Sequence, residues 1–102
     1  MKVNEYLTVV AMEECAEIQQ VLSKALRFGF DDCHPKTPNQ SNEEEILTEY
    51  YQLTAMIEEM QKHSLIQEFS PEKIAEIKVS KIEKVYHYMT YSKEKGLLED
   101  GE

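Results

Sequence analysis

The sequence predicts an all-α fold of three main helices, packed as an antiparallel bundle and completed by association with further copies of the chain. Three observations carry this. All three prolines fall in two places, Pro35 with Pro38 and then Pro71, and the glycines are Gly29, Gly96 and Gly101, so the long stretches between hold no strong helix breaker. Within those stretches apolar residues recur at three- and four-residue steps, and no alternating strand pattern of useful length is present. Finally, 102 residues with 41% hydrophobic content can make one core, yet a chain of this size buries a smaller share of its surface than a large domain does, which self-association relieves. The expected organisation is one helical domain over residues 1–97 with a loose tail over 98–102.

The first helix is expected over residues 4–26, where Leu7, Val10, Ala11, Ile18, Val21, Leu22 and Ala25 form a single stripe. Gly29 suits its C-terminal cap, and the DDCHPKTPNQ segment that follows has the composition of a loop. The second helix starts at Ser41, because Ser41-Asn42-Glu43-Glu44 fits the S-x-x-E capping box. Its stripe is Ile46, Tyr50, Leu53, Ile57 and Met60, and the pattern fades after His63. Ser70 before Pro71 marks the third start, a cap followed by proline at the first helical position. Ile74, Ile77, Ile82, Val85 and Met89 form the third stripe, which ends toward Lys95-Gly96.

Charge and composition exclude several function classes. Lys and Arg number 11 against 20 Asp and Glu, a formal charge of -9 that repels phosphate backbones and anionic lipid, so neither nucleic acid nor membrane is the expected partner. The longest apolar run, residues 9–12, is far short of the roughly 20 residues a membrane span needs, and Glu5 interrupts the stretch where a signal peptide would be apolar. Cys15 and Cys33 make neither a C-x-x-C motif nor a disulfide framework, which points to a reducing, cytoplasmic setting.

Carboxylates fall on the wrong face of two helices. Each residue turns the helix by about 100°, so with Leu7 at zero Glu14 lies at about 340°, in the middle of the apolar stripe, and Glu17 at about 280°, on its edge. With Ile46 at zero, Glu49 lies at about 300°, between Leu53 and Met56, while Gln52 at about 240° and Glu45 at about 260° flank the same edge. A carboxylate facing a core persists when paired with a cation, neutralised by a proton or coordinated to a metal. Glutamates three residues apart on facing helices can converge on one hard divalent cation, and oxygen-only ligands suit Mg²⁺ or Mn²⁺. The alternative is a lysine partner for each acid, or a helix phase that turns them to solvent.

Competing chemistries lack their motifs. None of His34, His63 and His87 sits three residues after a glutamate, so the Glu-x-x-His signature of di-iron bundles is missing. There is no G-x-S-x-G, no glycine-rich phosphate loop and no histidine placed by motif to activate a cysteine. Lys24, at about 260° on the first helix, and Arg27 one turn later can hold phosphates, and Lys81 falls inside the third stripe at about 340°. Snorkelling to water is the ordinary role for all three.

Glu13-Glu14-Cys15-Ala16-Glu17, then Ser23-Lys24-Ala25-Leu26-Arg27-Phe28-Gly29, then residues 42–58 together resemble the MazG-like all-α nucleoside triphosphate pyrophosphohydrolases, above all their short phage and prophage members. The resemblance covers about residues 11–59 and, more weakly, 84–97. It implies that an E-E-x-x-E segment, here Glu13, Glu14 and Glu17, and an E-x-x-D segment, here Glu49-Tyr50-Tyr51-Gln52, hold Mg²⁺, with Gln52 standing where the family has aspartate. Glu14, Glu17, Glu49 and Gln52 are the ligand positions so implied, and Glu45, one turn before Glu49 at nearly the angle of Gln52, is placed to supply the missing carboxylate. The amide oxygen of Gln52 can ligate but carries no charge.

The activity implied is metal-dependent cleavage of a nucleoside triphosphate to the monophosphate and pyrophosphate. Glu13 or Glu17 would serve as base, Lys24, Arg27, Lys81 and Lys84 would balance the triphosphate charge, and the assembly would be a homodimer or homotetramer. The alternative is a catalytically silent MazG-like interaction module or nucleotide binder, on account of Gln52.

Overall fold

A computed structural model describes residues 1–99, in the order α1 (Val3–Phe28), α2 (Asn42–Lys62) and α3 (Pro71–Glu94), with no strand among the described residues. The chain divides into two compact units, Met1–Gln67 and Glu68–Glu102. No helix is long and apolar enough to cross a membrane among the described residues. Of the tail expected at 98–102, residues 100–102 lie outside the described ones.

In the first unit, α1 is two residues longer at its C-terminal end than its stripe predicts, and it begins at Val3. The Glu5 side chain accepts from the Lys2 backbone N–H at 3.4 Å, which satisfies one free donor of the first turn. Gly29 ends the helix at φ 102, a backbone angle that side chains resist, and its N–H donates to the Ala25 carbonyl at 2.8 Å. The chain then crosses residues 30–40 and is pinned before α2. Cys33 and Ser41 form an isolated antiparallel bridge, and the Glu43 N–H donates to the Phe30 carbonyl at 3.0 Å.

Ser41 caps α2 as the motif requires. Its Oγ accepts from the Glu44 N–H at 3.2 Å, while Glu44 Oε1 accepts from the Ser41 N–H at 3.1 Å. Glu43, Glu44 and Glu45 fill the first turn, where the positive end of the helix dipole favours them. At the far end the Ser64 N–H donates to the Gln61 carbonyl and the Leu65 N–H to the Met60 carbonyl, each at 2.9 Å. That pair of bonds is a Schellman turn, and Ser64 occupies its left-handed position at φ 58.

Helices α1 and α2 pack against each other. Pairing runs from Gly29 with Asn42, through Lys24 with Glu45, to Glu14 with Gln52, so the two helices are antiparallel. Ala11, Val21, Ala25 and Met60 are the buried apolar residues, three of them on the predicted α1 stripe. Small side chains at 11 and 25 let the helices approach closely. Asn42 is the one buried polar residue among the described residues, and its Nδ2 donates to the Gly29 carbonyl at 2.8 Å, tying the end of α1 to the start of α2.

In the second unit, Ser70 Oγ accepts from the Lys73 N–H at 3.2 Å and Pro71 takes the first helical position. The helix closes with another Schellman turn: Gly96, at φ 73, donates to the Lys93 carbonyl at 3.0 Å, and Leu97 donates to the Ser92 carbonyl at 2.9 Å. α3 carries no buried residue.

Candidate metal centre

The spacing of Glu14 and Glu17, three residues apart, sets both on one face of α1, and the antiparallel pairing brings Glu49 of α2 opposite them. Each of these three side chains offers a carboxylate oxygen, and the three oxygens all lie within 4.8 Å of one another. Glu14 and Glu49 are half-buried and Glu17 is exposed, in accord with the helix angles that put the first two inside their stripes and the third on an edge.

Like charges this close cannot all ionise at no cost. Burial, followed by hydrogen bonding to the carboxyls of Glu17 and Glu14 and repulsion from their charges, pushes the Glu49 carboxyl up from 4.5 to about 7. Gln52 acts in the opposite sense. Assigned by its neighbours, its amide Nε2 donates to Glu49 Oε2 at 2.9 Å and to Glu14 Oε2 at 3.1 Å, and N–H donors favour the ionised form.

A cleft of ≈ 310 Å³ adjoins the trio, with Glu17, Glu49, Lys24, Glu45 and Thr48 among the residues that line it. Lys24 Nζ lies 3.1 Å from Glu45 Oε2, the side chains being 28% and 16% exposed. Glu45 Oε2 is enclosed and has no hydrogen-bond acceptance besides this ion pair. The structure thus brings Glu45 to Lys24 and not into the oxygen trio. Gln40 Nε2 donates to Thr48 Oγ1 at 3.4 Å on the rim of the same cleft.

Two further residues of the first unit singled out from the sequence, Glu13 and Arg27, are not gathered at the trio. Glu13 is exposed and outside it. Arg27 is exposed, with its guanidinium 5.0 Å from the centre of the Phe28 ring. Lys81 and Lys84 are exposed on α3 in the second unit, where they line an open groove with Val85 and Tyr88.

A second hollow lies beside the cleft, and the helical periodicity does not foretell it. A cavity of ≈ 370 Å³ is lined by Lys24, Phe28, Asp32, Cys33, His34 and Asn42. Lys24 also lines the acidic cleft, so the two hollows adjoin at its side chain. The signal lay in the loop composition and in Asn42 just after the cap, but the loop's path cannot be traced from periodicity.

Three carboxylates on two antiparallel helices offer the oxygen ligands that a hard divalent cation could take. No protein-family model, no curated protein and no solved structure matches the chain.

Proposed function

We propose that the chain is a Mg²⁺- or Mn²⁺-dependent nucleoside triphosphate pyrophosphohydrolase of the MazG-like kind, acting as a homodimer or homotetramer. The observation that carries this reading is the meeting of Glu14, Glu17 and Glu49, whose oxygens lie within 4.8 Å of one another beside a cleft that also holds Lys24. The -9 charge of the chain works against the approach of a polyphosphate, which a cation at this site would offset.

In the reaction, water bonds to phosphorus on one side of the oxygen bridging the α and β phosphates, that bridging bond breaks, and the products are the nucleoside monophosphate and pyrophosphate. A divalent cation, when bound, would supply neutralisation of the phosphate oxygens and a lowered pKa for the attacking water. Glu14 and Glu49, the half-buried members of the trio, would hold the cation, and Gln52 would offer its amide oxygen once turned. Glu17 is the exposed member and is open to the cleft, so it is the better of the two proposed bases, and Glu13 is the lesser. Lys24 bears on the phosphates from the cleft wall. Lys81, Lys84 and Arg27 remain proposals for further charge balance.

A second reading has one observation in its favour. Gln52 already satisfies Glu14 and Glu49 with amide protons, which is what a silent helical module or a nucleotide binder without turnover would keep. Incubation of the pure protein with each ribo- and deoxynucleoside triphosphate and Mg²⁺ or Mn²⁺, with pyrophosphate as the readout, separates the readings. Turnover is expected with at least one of them, falling at least about a hundredfold in Glu14→Gln and Glu49→Gln. No turnover and no saturable metal binding favours the silent module, and nucleotide binding without turnover favours the binder.

A further inference from the structure

Three carboxylates with oxygens within 4.8 Å of one another repel one another unless something positive lies between them. Gln52 reaches two of the three: with its amide oriented by these acceptors, Nε2 lies 2.9 Å from Glu49 Oε2 and 3.1 Å from Glu14 Oε2. One NH₂ group has two protons, so each acid receives one. Aspartate at this position would add a charge and remove both donors. The Gln52 side chain is exposed, so neighbouring packing does not lock its amide in one orientation.

We propose that Gln52 is a positioning residue that ties Glu14 to Glu49 through its amide protons in the cation-free protein and turns its amide over to present Oε1 when a divalent cation binds. This rests on the reading of the trio as a metal centre. Turning the amide breaks two N–H bonds to carboxylates, so the cation binds less tightly than it would to a charged residue at 52. In return the two helices stay joined at the acids when no cation is present. Gln52 thus trades affinity for independence from metal.

The test compares the wild-type chain with Gln52→Glu, which keeps the shape but replaces the donor by an acceptor, and Gln52→Met, which keeps the length without polarity. Circular dichroism checks that each remains helical, thermal unfolding is followed in EDTA and in saturating Mn²⁺, and Mn²⁺ binding is titrated by calorimetry. In EDTA both variants are expected to melt about 4–8 °C below wild type. In Mn²⁺ the Gln52→Glu chain is expected to recover fully and to bind about tenfold more tightly than wild type, while Gln52→Met binds more weakly. Equal melting of all three chains in EDTA overturns the tie between Glu14 and Glu49. Wild-type chain that binds no Mn²⁺ while the EDTA ranking holds instead removes the metal reading, and with it the turning of the amide.

Discussion

Glu49 is the residue on which pH should act. Its carboxyl is raised from 4.5 to about 7 by burial, by hydrogen bonding to Glu17 and Glu14 and by their charges. Because the folded value lies above the unfolded one, the stability Glu49 contributes is fully present below about pH 4.5 and is lost as pH rises through about 7. A divalent cation needs the ionised form, so its affinity runs the other way and increases over the same window. Calorimetric Mn²⁺ titrations in two buffers of different ionisation enthalpy should register proton release near neutrality, falling toward none well above the raised value. Binding that is independent of pH across this range would take Glu49 out of the coordination sphere.

Lys24 and Glu45 make an asymmetric pair. Glu45 Oε2 is enclosed and depends on the lysine 3.1 Å away, whereas Lys24 is the more exposed partner and can reach water. Lys24→Met is therefore expected to destabilise the fold by about 1–3 kcal/mol, the cost of stranding a sheltered carboxylate, and Glu45→Gln by less. Denaturant unfolding of the two variants gives both numbers, and Mn²⁺ affinity of Glu45→Gln close to wild type would agree with its place outside the trio. The inward turn of Glu14 and Glu49 was legible in the sequence, since a rotation of about 100° per residue sufficed. The Lys24–Glu45 pair was not. Both side chains lay on stripe edges, but which edge meets which depends on the register between helices. The direction of the Gln52 amide depends likewise on neighbours brought from another helix.

Helix starts and stops are local, and for that reason they were readable. Ser41 with Glu44, Ser70 with Pro71, and Gly29 each satisfy backbone groups within a few residues of themselves, so the chemistry that marks them is complete in a short segment. The fading stripe marks the end of α2 near its cap at His63 but not the turn that follows, because Ser64 holds the left-handed position where glycine would announce it. Ser64 at φ 58 works against its own Cβ, so Ser64→Gly should raise stability by up to about 1 kcal/mol, with Ser64→Val lowering it. Ser41→Ala should cost about 1 kcal/mol by leaving the Glu44 N–H without the Ser41 Oγ acceptor, while the backbone N–H at 41 still donates to the Glu44 carboxylate. Chemical denaturation of these three variants would check both ends of α2, and a Ser64→Gly chain less stable than wild type would contradict the account of that turn.

The whole molecule is under-covered relative to what its helices present. α3 has 24 residues and an apolar stripe through Ile74, Ile77, Ile82 and Val85, and none of its residues is buried. A helix standing on its own is marginal in water, since most helical stability in proteins comes from packing an amphipathic face. On α1 and α2 large apolar side chains are also left outside, Leu26 at 85% exposed and Met12 at 64%. Periodicity predicted these stripes and could not say what covers them, because that depends on a surface no single helix contains. Our proposal of a homodimer or homotetramer supplies the cover from further copies of the same chain. Light scattering should then return about twice or four times 11.9 kDa, with dissociation and loss of helicity occurring together on dilution. Ile77→Glu puts a charge in the α3 stripe and should lower the assembled fraction at least about tenfold, while leaving the α1–α2 trio able to bind Mn²⁺ if that site is built within one chain. A chain that scatters as 11.9 kDa at every concentration, with α3 fully helical, would show that a helix with this stripe stands without a second copy.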